Sequence, residues 1–169
     1  MTRRENGFTL IELLVVVAII GIIAAIAVPN LLLAIQRAKQ RRTMVDMRNT
    51  ASAWEARNSE GSRYNAAGQL NGVEGADQLI TYSDLSLMLS PTYIRILPRF
   101  DAWGTAYQCY TNQAFGAPQG ATVYAIISAG KDGVISSDPA TGPFSNFDCD
   151  IVYSNGVFLS YPDGLTFNK

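Results

Sequence analysis

Apolar positions run almost without interruption from Gly7 to Pro29, in GFTLIELLVVVAIIGIIAAIAVP, with one acid, Glu12, near the start and a short basic leader, MTRREN, in front. Between Glu12 and Arg37 lie 24 residues without a formal charge, which as a helix rise roughly 36 Å and can cross a hydrocarbon core about 30 Å thick. The pattern predicts a membrane-spanning helix. Its aliphatic side chains, worth about −0.3 to −0.6 kcal/mol each, outweigh a single acid near the helix end. The run is too long for a cleaved secretory signal, whose apolar core is about 7 to 15 residues. An ordinary anchor fits the length but leaves Glu12 unexplained, since an ionisable group in an apolar span points to function.

Beyond the span the pattern becomes amphipathic. Met44, Met47, Ala51 and Trp54 recur at three- and four-residue spacing and form one stripe, with Arg42, Asp46, Arg48 and Glu55 at other positions. The expected helix runs from Phe8 to about Asn58, roughly 75 Å. Pro29 removes a backbone hydrogen bond and should bend or loosen it, with Gly21 a second weak point. Residues 62–82 read as a loop-rich connection. Ser83 then reads as the N-cap of a short helix ending near Leu89, before Pro91. Strands are expected at Ala106–Thr111, Val123–Ser128, Ile151–Tyr153 and Val157–Tyr161, the last two joined as a hairpin by Ser154, Asn155 and Gly156. The fold class is α+β: a long N-terminal helix, apolar in its first half and amphipathic in its second, packed on a small antiparallel sheet.

Composition narrows the chemistry. The net charge of −1 and pI near 5.3 provide no basic field for nucleic acid, and no nucleic-acid partner is expected. Histidine is absent, which removes the commonest general base and neutral metal ligand. Together with the lack of a nucleophile motif, this makes an enzyme on a membrane anchor the weakest of the function classes. The two cysteines, Cys109 and Cys149, form no CxxC pair, so redox catalysis and structural zinc lack support.

Gly7 followed by Phe8, Thr9, Leu10, Ile11 and Glu12, then the long apolar helix with Pro29, resembles the type IV prepilin signature shared by pilins and secretion-system pseudopilins. The resemblance implies that a prepilin peptidase cuts between Gly7 and Phe8 and methylates the new Phe8 amine. It divides the chain into a leader (1–7), a transmembrane and filament-core helix (8–36), its amphipathic continuation (37–60) and a globular domain (61–169). It also implies that Glu12 pairs with the Phe8 amine of a neighbouring subunit, because a carboxylate in apolar surroundings is costly unless paired. The alternative is a Glu12 that snorkels to the membrane surface. The implied location is a single-pass protein of the bacterial inner membrane with its C-terminal domain in the periplasm. The positive charges argue otherwise: Arg37, Lys39, Arg41 and Arg42 follow the span whereas Arg3 and Arg4 precede it, which by count would leave that domain in the cytoplasm.

The stretch PTYIRILPRFDAWGTAYQCY resembles the segment of type II secretion major pseudopilins that leads into the sheet. The matching residues are Tyr93, Leu97, Pro98, Asp101, Trp103, Gly104 and Tyr107, and Trp103 and Tyr107 read as core and turn residues. The loop SAGKDGVISSDPATGPFSNFDCDIVY is similar to the calcium loop of that family. By this resemblance Asp132, Asp148 and Asp150, with Asp138 and the carbonyl of Ala129 as weaker candidates, are expected to bind Ca²⁺, a hard cation taking six to eight oxygens. Cys149 inside the closing motif, the absence of a Glu and the presence of Pro139 depart from the pattern, and surface aspartates capping turns are the alternative. In an exported domain, Cys109 and Cys149 are expected to form a disulfide, closing a loop of about 40 residues for roughly 4 kcal/mol. Two free buried thiols are the alternative.

The expected function is that of a non-enzymatic subunit of a type II secretion pseudopilus, a helical homo-oligomeric filament that drives protein export. Minor pseudopilins and an inner-membrane assembly platform are the implied partners. A type IV pilin serving adhesion, twitching or DNA uptake is the alternative.

Overall fold

The computed structural model describes residues 7–59, 68–70, 73–113, 121–136 and 141–164. The chain divides into two compact units, Met1–Gln36 and Arg37–Lys169. One helix, α1 (Leu10–Ser59), passes from the first into the second. It continues through Pro29, beside which the Asn30 side-chain amide donates to the carbonyl of Ile26 at 3.1 Å. That bond reinforces the backbone next to the position where proline supplies no N–H. In the first unit the aliphatic side chains are uncovered, Leu10 being 86% and Ile22 66% exposed.

In the second unit the expected stripe is the buried face of α1. Met47, Ala51 and Trp54 are fully buried and Met44 packs beside them. A short helix, α2 (Tyr82–Leu89), adds Leu85 and Leu89 to the same core. Its N-cap is Thr81 rather than Ser83. The Thr81 hydroxyl accepts from the Asp84 N–H (3.2 Å) and donates to the Asp84 carboxylate (2.6 Å), a reciprocal cap that Ser83, already inside the first turn, cannot make.

Among the described residues, seven strands form the sheet: β1 (Gly68–Leu70), β2 (Val73–Ile80), β3 (Gln108–Thr111), β4 (Tyr124–Ser128), β5 (Gly142–Phe144), β6 (Ile151–Ser154) and β7 (Val157–Pro162). Their order is β1-β2-β3-β4-β6-β7-β5, antiparallel except for the β5–β7 pair. The four expected strands correspond to β3, β4, β6 and β7. At the β6–β7 turn Asn155 and Gly156 have φ of 44° and 88°, the pair of positive values that a two-residue type I′ hairpin requires. β1 and β2 fall where loop is expected from the sequence. The composition of β2, VEGADQLI, explains this, since Glu, Gly, Ala and Asp are depleted in strands, and its pairing with β3 makes it a strand nonetheless.

The sheet is buried on both faces at its centre, and every residue of β4 is buried. One face carries Cys109, Tyr124, Ile126, Ile151 and Tyr153 against α1 and α2. The other holds a smaller cluster of Ala125, Ile127 and Val152.

Cys109 and Cys149 are free thiols, so the expected disulfide is corrected. The reason is topological. Cys109 pairs with Ile126 of β4, Ile126 pairs in turn with Tyr153 of β6, and Cys149 lies just ahead of β6. With β4 between them the two chains are two strand spacings apart, about 10 Å, and a disulfide tolerates about 7 Å between Cα atoms.

Candidate functional site

Two places carry the residues singled out from the sequence: the start of α1 and the loop between β4 and β6. At the first, Gly7 and Phe8 are exposed and Thr9 is the N-cap of α1. The Thr9 N–H and hydroxyl both donate to Glu12 Oε2, at 2.9 and 2.6 Å, and the Glu12 N–H donates back to the Thr9 hydroxyl at 3.2 Å. This is a capping box. Within one subunit, therefore, the Glu12 carboxylate is already engaged by its own helix start, a role for Thr9 missed in reading the sequence. The signal was present: Thr-x-x-Glu ahead of an apolar run is a helix-start signature.

The second place is built from the Asp101 turn. Asp101 is 4% exposed, and its Oδ1 accepts from the N–H groups of Trp103, Gly104 and Thr105, each at 2.9 Å. Its Oδ2 accepts from the hydroxyl of Ser128 at 2.7 Å, and Ser128 is the last residue of β4. The aromatic residues of the same stretch serve the core as expected: Trp103 and Tyr107 pack on it, and the Tyr107 hydroxyl donates to the carbonyl of Thr43 on α1. Desolvation by burial, with the charge of Asp46, pushes the Tyr107 phenol well above its usual range.

From Ser128 the chain enters the acidic loop. Gly130 adopts φ +64°, and a Cβ there would stand 2.6 Å from the Cys149 carbonyl oxygen. Only glycine permits that approach. The Lys131 N–H then donates to the carbonyl of Phe147 at 2.9 Å. These contacts bring the 129–132 segment against 147–150.

The acids differ in their surroundings. Asp132 Oδ1 accepts from the Val134 N–H at 3.0 Å, a turn contact. Asp148 Oδ1 lies 3.4 Å from the Lys131 ammonium. Asp150 is only 3% exposed; its Oδ2 accepts from the Ser136 N–H at 2.7 Å, while its Oδ1 is buried without a hydrogen-bond partner. Burial holds the Asp150 carboxyl above the usual carboxylate range, against the Ser136 bond and with the help of the Asp132 charge. Ala129 is buried. Asp138 lies outside the described residues. Among the described residues, no three His, Cys, Asp or Glu side chains gather closely enough to hold one metal ion.

Residues 2–28 match the prokaryotic N-terminal methylation motif. Over 145 residues the chain is 32% identical to the type II secretion system core protein G of Aeromonas hydrophila, covering 83% of this chain and 92% of that protein. The chain belongs to the type II secretion system core protein G family. The Escherichia coli (strain K12) member is 30% identical over 138 residues, 81% of this chain and 89% of its own. The type IV major pilin protein PilA of Myxococcus xanthus is 48% identical, but over 61 residues, 36% of this chain and 28% of the pilin. No solved structure matches significantly. Membership in the core protein G family agrees with the α+β arrangement, in which an apolar helix start continues into a helix packed on a sheet.

Proposed function

We propose that this chain is the repeating structural subunit of a type II secretion pseudopilus, without catalytic activity of its own. A prepilin peptidase removes Met1–Gly7 and methylates the Phe8 amine. The subunit waits in the inner membrane as a single-pass protein with residues 37–169 in the periplasm. It then assembles, with an inner-membrane platform and minor pseudopilins, into a filament that drives export. The observation that carries this reading is the match along nearly the whole length of core protein G relatives, against a match to 28% of the pilin. The pilin likeness favours a second reading, a type IV pilus subunit, to the extent of those 61 residues.

The physics of the step is a transfer of burial. Side chains such as Leu10, Ile11 and Ile22, uncovered within the subunit, are covered first by lipid and then by neighbouring helices. The net hydrophobic change is small, because lipid tails are as apolar as leucine. Register has to come from a polar contact, and Glu12 supplies it by exchanging its Thr9 partner for the Phe8 amine of the next subunit. Glu12→Ala is therefore expected to remain inserted and processed, with filament yield in sheared-cell fractions reduced tenfold or more. Wild-type yield from this variant would sink the assignment.

The acidic loop is proposed to take Ca²⁺ through Asp132, Asp148 and Asp150, which stand apart in this structure and would be drawn together by the ion, with the Ala129 carbonyl and other main-chain oxygens completing the shell. Support comes from the buried, unpartnered Oδ1 of Asp150 and the all-oxygen character of these donors, which suits a hard cation. Bound there, the ion would supply charge compensation for the buried carboxylate and tie the β4 exit to the β6 entry.

A further inference from the structure

We infer that Arg37, Lys39, Arg41 and Arg42 form a basic collar that binds the headgroups of anionic phospholipids, an inference that rests on the membrane-anchored reading above. No acid stands between Glu12 and Asp46, and these four are the cations of that interval. They follow the apolar run on the same helix, α1. The 24 uncharged residues ahead of Arg37 rise roughly 36 Å. A hydrocarbon core is about 30 Å thick and a headgroup layer adds about 5 to 7 Å on each side, so with Glu12 at one edge of the core Arg37 stands in the opposite headgroup layer. Arg41 and Arg42, a turn or more further out, reach back along their aliphatic stems.

The collar is open to such a partner. At about 100° per residue the four side chains spread over roughly 200° of the helix circumference. In the same turns α1 packs on its own domain through Gln40, Thr43 and Met47, on the remaining side. Arg41 and Arg42 are exposed, Arg37 and Lys39 half-buried. One acid reaches the collar: Asp46 Oδ2 lies 3.6 Å from Arg42 Nε, on an arginine side chain that is 71% exposed. Exposed pairs of this kind hold weakly. Among the described residues no carboxylate forms an ion pair with Lys39 or Arg41. The excess positive charge is therefore met from outside the domain, and the surface next to it along α1 is the bilayer. Each cation at an anionic surface is worth up to about a fivefold preference at low salt. Lipid contact gives these cations a role beside the globular domain, although by count they weigh for the cytoplasm. It also holds the subunit at one depth until it is drawn into the filament.

The experiment reconstitutes the full processed chain in phosphatidylcholine vesicles carrying spin-labelled phosphatidylglycerol or spin-labelled phosphatidylcholine. Electron paramagnetic resonance then gives the ratio of their association constants at the protein boundary. Processing removes Arg3 and Arg4, so the Phe8 amine is the other cation left at the headgroups, and it is common to all variants. Wild type is expected to prefer phosphatidylglycerol, with the preference falling as salt is raised from about 20 to about 500 mM. Lys39→Gln/Arg41→Gln should lower that preference about two- to fivefold, with an unchanged thermal midpoint. Arg95→Gln, at an exposed cation of the globular domain, should leave it as it is. Should the double variant misfold, Arg41→Gln alone and the salt dependence decide. No preference in wild type, or an equal preference in the collar variants, overturns the inference and leaves the anchored reading standing. Equal preference together with lost filaments assigns the collar to an acidic protein surface instead. A wild-type spectrum with no boundary-lipid component for either label overturns both readings.

Discussion

At the scale of single residues, the two cysteines show how place in the sheet decides chemistry. Cys109 is buried in the main core, and burial pushes its thiol up to about 12 from the ordinary 9.0. Cys149 is half-buried, raised by desolvation and by the charges of Asp150, Asp148 and Asp132. A thiolate cannot be solvated at position 109, so the folded state keeps its proton while the unfolded chain ionises near 9. Stability from this group is complete below pH 9 and is lost as the pH rises from there through about 12, at up to about 1.4 kcal/mol per pH unit. Burial also raises Tyr124 and Tyr107, which add to the same alkaline loss. Cys109→Ala should flatten the upper part of a stability-against-pH curve measured by denaturant unfolding. With a thiol reagent at pH 8 and no reductant, Cys149 should react in the folded protein and Cys109 only after unfolding. Finding no reactive thiol after unfolding would mean that a bridge had formed.

At the scale of elements, what was legible followed from periodicity and what was missed followed from context. The Met47, Ala51 and Trp54 stripe was readable because a helix buries one face at a spacing that only its own period produces. β4 and β6 were readable as short apolar runs, and β7, the hairpin partner of β6, through the Asn155–Gly156 turn. β2 was not, because residues poor in strand propensity become a strand by pairing with β3, a long-range fact no local window contains. The acidic loop was legible as a cluster but not in its internal assignments: that Asp150 is buried, that Asp148 faces Lys131 and that Asp132 caps a turn depend on two segments meeting at Gly130. This meeting makes Gly130→Ala informative. The added Cβ would lie 2.6 Å from a main-chain oxygen, at φ +64°, so backbone must move. A loss of about 2 to 4 kcal/mol is expected in denaturant unfolding, together with a weakened Ca²⁺-induced rise in the thermal midpoint. A stability within 0.5 kcal/mol of wild type would show that the loop is not closed on 147–149.

At the scale of the whole molecule, one chain has to satisfy a membrane, a peptidase and a polymer in turn, and its first residues bear on all three. Glu12 was legible as an anomaly in an apolar span, and its capping partner Thr9 was written in the Thr-x-x-Glu signature at the edge of the same run. Gly7 stands apart from this capping box, exposed, with nothing within 4 Å of a Cβ built upon it. A Cβ there meets no described residue, so a loss of processing in Gly7→Val with an unchanged globular domain points to recognition by another protein. Wild-type protein extracted from membranes should have a mass lacking Met1–Gly7 and carrying one methyl group. Gly7→Val should be inserted to the same level, keep its leader and form no filament, while its globular domain melts within a degree of wild type. A shortened, methylated product from Gly7→Val would refute the cleavage site. A full-length product that still assembles would refute the idea that the freed Phe8 amine is the partner for which Glu12 leaves Thr9.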